Sequence, residues 1–266
     1  MNLRQRYESA SKPKLWTYIV LRVTVIAVMV AQIFNQNWHN VFLCVLTLLL
    51  FMLPSIVSRR FKVELPNALE IIIVCFIFSA EVLGEIQQFY LTVPFWDVML
   101  HGVNGFLSAA MGLALVNTLN EDEHVMMHLS PLFVVLTEFG FSMMVGVLWE
   151  FFECAMDLLF HTDMQKDTWI SAIHSVDLNE SVLNDPVHLT IESVAVNGAP
   201  LGDGTRYLDI GLYDTMKDLA FNFIGAIVFS IFGWFYVKKR SNFAAHFLLR
   251  KKRDDTAPQD DQRQSG

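Results

Sequence analysis

The sequence predicts an all-α integral membrane protein, a bundle of about six transmembrane helices with a long extracytoplasmic loop that contains a small β-hairpin. Three observations carry this prediction. Of 266 residues, 53% are hydrophobic and only 17% are charged, whereas soluble domains carry about a quarter charged residues. Several apolar stretches approach the ~20 residues that a helix needs to cross the hydrocarbon core. The basic residues gather at particular ends of those stretches instead of spreading along the chain. An ordinary soluble enzyme, a disordered chain and a nucleic-acid binder are all excluded by this composition, the last also by the net charge of -8.

The spans are expected at residues 17–35, 38–58, 66–90, 95–117, 131–160 and 212–237. Arg4, Arg6, Lys12 and Lys14 precede the first, Arg59, Arg60 and Lys62 follow the second, and a basic run from Lys238 to Arg253 follows the last. Basic residues stay on the cytoplasmic side, so an even number of spans puts both termini there. Residues 1–16 then form a cytoplasmic N-terminus, 17–160 five helices, 161–211 an outer loop, 212–237 the sixth helix, and 238–266 a basic then acidic tail expected to be disordered. The loop from Thr118 to Ser130 has no Lys or Arg and is neutral on this point. No small-x-small pattern follows the first apolar run, which is therefore expected to remain as an uncleaved anchor.

The outer loop of some fifty residues is far longer than most connections. Within it the β-branched run from Val187 to Val196 leads into Asn197-Gly198, and a second turn signal at Gly202-Asp203-Gly204 precedes Tyr207-Leu208. This pattern predicts a β-hairpin. Cys44, Cys75 and Cys154 sit in apolar runs and form neither a disulfide framework nor a zinc ribbon.

Ionisable residues inside spans are costly and tend to be sequestered for a purpose. Glu81 and Glu85 are four residues apart, with Gln88 next along the same face. Asp97, His101 and Asn104 form a stripe in the fourth span, Glu150, Glu153 and Asp157 one in the fifth, and Asp214, Asp218 and Asn222 one in the sixth. Each stripe falls in the outward half of its helix, and Glu81 lies ~13 Å below the outer end. Together they predict a funnel of carboxylates open to the outside.

So many acids cannot stay ionised together in low dielectric without protons or cations. Carboxylates with one imidazole and amide oxygens are hard ligands, which favours Mg²⁺, Mn²⁺ or Ca²⁺ over Zn²⁺. Glu150, Glu153, Asp157, Asp214, Asp218 and Asn222 are the candidate metal ligands, and His101, Asp97, Glu81 and Glu85 the candidate catalytic groups. Plainer readings stand beside these. Glu81 and Glu85 suit protonated packing partners, Asp157 and Asp214 suit interfacial exposure, and Asp97 with His101 suits a local ion pair as well as a ligand and its brace. Lys217 suits a built-in counter-cation. Arg22 and Glu70 are expected to pair as a structural brace, and Glu138 has no role in this scheme. Small residues in the fourth span (Gly102, Gly105, Ser108, Ala109, Gly112) and the sixth (Gly225, Ala226, Ser230, Gly233) predict that these two helices are neighbours.

Three segments, Trp96-Asp97-Val98-Met99-Leu100-His101, Leu148-Trp149-Glu150-Phe151-Phe152-Glu153 and Tyr207 through Asp218, resemble those of the YjdF-like family of bacterial membrane proteins. More loosely, the order of a histidine helix, a glutamate helix and a final Asp-x-x-x-Asp-x-x-x-Asn helix is similar to the VanZ-like pattern, which is associated with glycopeptide tolerance and the cell envelope. The resemblance implies a multi-pass protein of the bacterial cytoplasmic membrane. Three functions follow as expectations: a metal-dependent enzyme acting on a lipid or lipid-linked envelope substrate, a cation or proton-coupled transporter or binding protein, and a non-catalytic envelope accessory protein. The expected partners are the lipid bilayer with a lipid-linked substrate or a cation, and no nucleic acid.

Overall fold

The computed structural model describes residues 12–60, 63–120, 129–180, 184–209, 211–239 and 250–251. Arg4 and Arg6, most of the neutral loop after the fourth span, and the tail from residue 252 onward lie outside the described residues. The structure is mostly helical, with short strand pieces, the first of them β1 (Val63–Glu64). The helices are α1 (Lys12–Phe34), α2 (Trp38–Leu50), α3 (Leu53–Arg60), α4 (Asn67–Phe78), α5 (Phe89–Thr92), α6 (Trp96–Asn120), α7 (Pro131–Phe160) and α8 (Leu212–Lys239), with a π-helical stretch over Ser79–Ile86. The chain divides into two compact units, one of residues 1–143 and 222–266, the other of residues 144–221.

Five helices among the described residues are long and apolar enough to cross a membrane: Lys12–Phe34, Trp38–Arg60, Trp96–Val116, Pro131–Phe160 and Leu212–Phe235. In four of them most residues are not buried, as lipid-facing ones should be, whereas Trp96–Val116 is mostly buried. On α1, Trp16, Val20, Val23, Ile26 and Val30 are open while only Val25 is fully buried. The second of these spans is divided at Phe51 and Met52, and Pro54 enters α3 in its first turn, where a missing N–H costs nothing.

The expected span at 66–90 is the exception. It is α-helical only over Asn67–Phe78, after which the backbone widens into the π-helical stretch. Gln88 then takes a left-handed conformation (φ 58°) before the short α5. Pro66 starts α4 with its fixed φ of -57°. The count of six regular spans thus reduces to five plus this mixed segment.

In the first unit, one apolar core joins Val25, Cys44, Phe51, Val74, Ile77, Val82 and Ile86. A second joins Ala109, Ala110, Leu113, Val116, Val134 and Phe229, with Phe106 edge-on against Phe229 at 5.0 Å. The neighbourhood of α6 and α8 expected from small residues is present here. A methyl placed on Gly105 would strike the Asn222 carbonyl, and one on Gly225 the Gly102 carbonyl.

In the second unit the loop holds three short antiparallel ladders, not one hairpin. β2 (Trp169–Ile170) pairs with β7 (Tyr207–Leu208), β3 (Ala172–Ser175) with β4 (Val187–Thr190), and β5 (Ala195–Val196) with β6 (Ala199–Pro200). The Asn197-Gly198 turn forms as expected, with φ of 53° and 83° at its two central residues, the type I′ geometry that matches strand twist. The strand starting at Val187 ends at Thr190 and pairs backward with residues 172–175. Periodicity predicts a strand but does not name its partner.

Candidate functional site

In the first unit, Asp97 stands one turn from His101 on α6, with 3.6 Å between carboxylate oxygen and Nε2. His101 is buried and the Asp97 side chain is about a quarter exposed. The i, i+4 spacing therefore yields the local acid–imidazole pair that both of its sequence readings require. One turn further, the Asn104 amide donates to Asn222 Oδ1 at 3.3 Å, and the Asn222 amide donates to the Ser142 carbonyl at 3.4 Å. The Ser142 hydroxyl in turn donates to the Gly105 carbonyl at 2.7 Å. A buried amide costs free energy unless its donors and acceptors are met, and here they are met by groups of three helices. Asn222 thus acts in helix packing, whatever else it does. Ser142 has no place in the stripe pattern, since a lone Ser in an apolar run carries no signal.

Glu81 and Glu85 fall in the π-helical stretch, where the turn exceeds the α-helical 3.6 residues and i, i+4 residues no longer align on one line. Glu81 is half-buried and Glu85 exposed. The brace expected between Arg22 and Glu70 is replaced by another. Glu70 pairs with Lys14 and accepts a hydrogen bond from the Tyr18 hydroxyl at 2.9 Å, while the Arg22 guanidinium lies over the Tyr18 ring. Tyr18 and Lys14 precede Arg22 by four and eight residues, so the brace slides one to two turns toward the start of α1.

Glu138 is fully buried. A methyl on Gly233 would collide with its carboxyl oxygens, and Gly112 lets its Cα approach α6 closely. The Ser230 hydroxyl is close enough to interact with the carboxyl but falls short of hydrogen-bond geometry. Neither carboxyl oxygen has a hydrogen-bond partner among the described residues.

In the second unit, Glu150, Glu153, Asp214 and Asp218 are all buried, each at 7% exposure or less. Trp149 Nε1 donates to Glu153 at 2.8 Å, giving this tryptophan a polar task as well as packing against Phe152. Asp157 closes the end of α7: its carboxylate accepts from the Thr162 hydroxyl at 2.7 Å, the Met164 amide at 2.7 Å and the Gln165 amide at 2.8 Å. Asp214 accepts from the Lys166 amide at 2.8 Å and pairs with the Lys217 ammonium at 2.6 Å. Lys217 is thus the built-in counter-cation of Asp214.

Asp209 does a similar job and was not singled out by spacing. It is buried, accepts from the Thr168 amide at 2.6 Å, and accepts from the Tyr213 amide at 3.0 Å in the first turn of α8. The legible signal is an acid just ahead of an apolar helix, the N-terminal capping pattern. Outside the spans, crowding shows in Asp167, whose carboxyl is pushed above the usual range by partial burial and by Asp163, Asp209, Asp157 and Asp214.

Several long apolar helices, with buried carboxylates in some of them, define a membrane protein. The match to known families is specific: the chain belongs to the family described as "Predicted membrane protein (DUF2238)", the YjdF-like family, whose model matches residues 17–239. No curated protein and no solved structure matches the chain.

Proposed function

We propose that this protein holds a hard divalent cation, Mg²⁺, Mn²⁺ or Ca²⁺, on Glu150, Glu153 and Asp218, with Asp214 beside them, and uses it on a lipid or lipid-linked envelope substrate in the bacterial cytoplasmic membrane. The observation that carries the reading is the burial of these four carboxylates in a unit whose only lysines and arginines are Lys166, Arg206 and Lys217. Burying several carboxylates together demands protons or cations in compensation, and oxygen-rich ligand sets select hard ions.

His101, held beside Asp97 on α6, is suited by its chemistry to act as a general base. A phosphate-bearing substrate would be drawn by the ion, since a Lewis acid neutralises charge developing on phosphoryl oxygens. The six ligands read from the stripes therefore divide. Asp157, Asp214 and Asn222 have structural tasks, and Glu150, Glu153 and Asp218 are left to hold the ion.

The test uses purified protein in detergent. At least one equivalent of divalent metal and a thermal midpoint that rises with added Mg²⁺ or Mn²⁺ are expected, and Glu150→Gln should abolish that response. Less than one equivalent of metal, together with a wild-type midpoint indifferent to divalent ions, overturns the reading.

A further inference from the structure

In the second unit, β3 and β4 pair antiparallel with His174 directly opposite His188. Directly opposed residues of a two-stranded ladder project from the same face with their Cβ atoms close. The two imidazole rings lie 4.2 Å apart between centroids, tilted by 44°. Nδ1 of His188 is 3.0 Å from Nδ1 and 3.2 Å from Nε2 of His174. Both side chains are exposed.

Imidazole nitrogens bind first-row ions at about 2.0–2.1 Å. Two such bonds at a right angle hold their nitrogens about 3 Å apart, and at a tetrahedral angle about 3.4 Å. The observed separations are of that size, so one ion can bind both rings once the two side chains rotate to turn a lone pair toward it, without the strands moving apart. Exposure leaves the remaining coordination positions to water. We propose that His174 and His188 form a two-imidazole site for a borderline divalent transition ion, with Cu²⁺, Ni²⁺ and Zn²⁺ as its chemical class. Neutral imidazole suits these ions and does not suit Mg²⁺ or Ca²⁺. This site is therefore chemically separate from the carboxylate site proposed above and does not depend on it.

A neutral pair with one ring N–H donating to the other nitrogen would give the same separation without any metal, and the experiment must distinguish the two. Full-length protein in detergent, stripped with chelator, is titrated with Cu²⁺ by calorimetry and observed by electron paramagnetic resonance. The wild type should bind one Cu²⁺ more tightly than the variants do and show coupling to two imidazole nitrogens. His174→Ala and His188→Ala should each weaken that binding by roughly tenfold or more, since losing even an outer-shell partner of a metal ligand costs 10–100-fold. The Mg²⁺ or Mn²⁺ response of the thermal midpoint should be unchanged in both variants. Cu²⁺ affinity within twofold of wild type in the double variant, or a spectrum with fewer than two coupled imidazoles in the wild type, shows a hydrogen-bonded pair only and overturns the proposal.

Discussion

Gly105→Ala is expected to destabilise the first unit, and Gly140→Ala is expected not to, although both put the same methyl into the middle of a helix. At Gly105 the methyl would land well inside 3.0 Å of the Asn222 carbonyl oxygen, with the carbonyl carbon also within 3.0 Å. These are backbone atoms of a facing helix and cannot swing aside, so α6 and α8 must separate locally. Overpacking of this kind costs about 1–3 kcal/mol. Separation also strains the Asn104–Asn222 and Ser142–Gly105 hydrogen bonds, each worth about 0.5–1.5 kcal/mol. Opposing these losses, replacing Gly by Ala inside a helix gains about 1 kcal/mol. The net expectation is a loss of about 1–5 kcal/mol. Gly225→Ala, facing the Gly102 carbonyl from the other helix, should behave alike. At Gly140 nothing lies within 4 Å of the added methyl, so only the helix gain applies, and stability should hold or rise by up to ~1 kcal/mol. Equilibrium unfolding in mixed micelles, followed by circular dichroism, reads all three. Gly105→Ala as stable as wild type, or Gly140→Ala as damaging as Gly105→Ala, would refute the close approach of these helices.

Asp157→Asn should loosen the segment after α7, because an amide cannot replace a carboxylate that accepts from one hydroxyl and two backbone amides. Hydrogen exchange at the Met164 and Gln165 amides should quicken by about tenfold or more, equivalent to about 1.4 kcal/mol or more of local opening, and unchanged exchange would count against the cap. Asp203 accepts from the Thr205 amide and hydroxyl and from Arg206, which lowers its carboxyl to about 2. Since that lies below the ordinary value of about 3.9, its support of the Gly202–Gly204 turn should be complete above roughly pH 4 and fade as pH falls toward 2. The Thr205 amide shift should follow that titration in the wild type and lose it in Asp203→Asn. For Glu138, whose carboxyl oxygens make no hydrogen bond among the described residues, Glu138→Met should be neutral or stabilising by up to about 1 kcal/mol. A loss above about 2 kcal/mol would show that the carboxyl is engaged.

What the sequence made legible is what composition and period encode. Five of the six apolar stretches, 17–35, 38–58, 95–117, 131–160 and 212–237, appear as candidate spans close to their expected limits, because length and apolarity are local properties. The stretch at 66–90 misled because a π-helical stretch changes the residues per turn without changing hydropathy. In the loop, Asn197-Gly198 announced its turn because positive φ at two successive residues selects those residue types. The pairing of residues 172–175 with 187–190 was not legible, since a ladder joining segments some dozen residues apart leaves no local mark. The same limit applies to polar partners. Spacing put Asp97 beside His101, a contact within one helix, yet missed that Glu70 binds Lys14 and Tyr18 rather than Arg22, a contact between helices.

The stripe of Asp214, Asp218 and Asn222 on α8 shows why a shared face does not imply a shared task. All three side chains are buried, as i, i+4, i+8 spacing along one face requires. Asp214 nevertheless accepts the Lys166 amide and pairs with Lys217, which ties the loop to the start of the helix. Two turns on, Asn222 has its amide engaged with Asn104 and Ser142, which fixes how α8 meets its neighbours in the first unit. Asp218 lies between a structural cap and a structural amide and is itself buried. A loss of function in an Asp214 or Asn222 variant would therefore report first on folding. Asp218→Asn changes charge with almost no change in shape, so an ion response lost in that variant while thermal stability persists would bear on the chemistry itself.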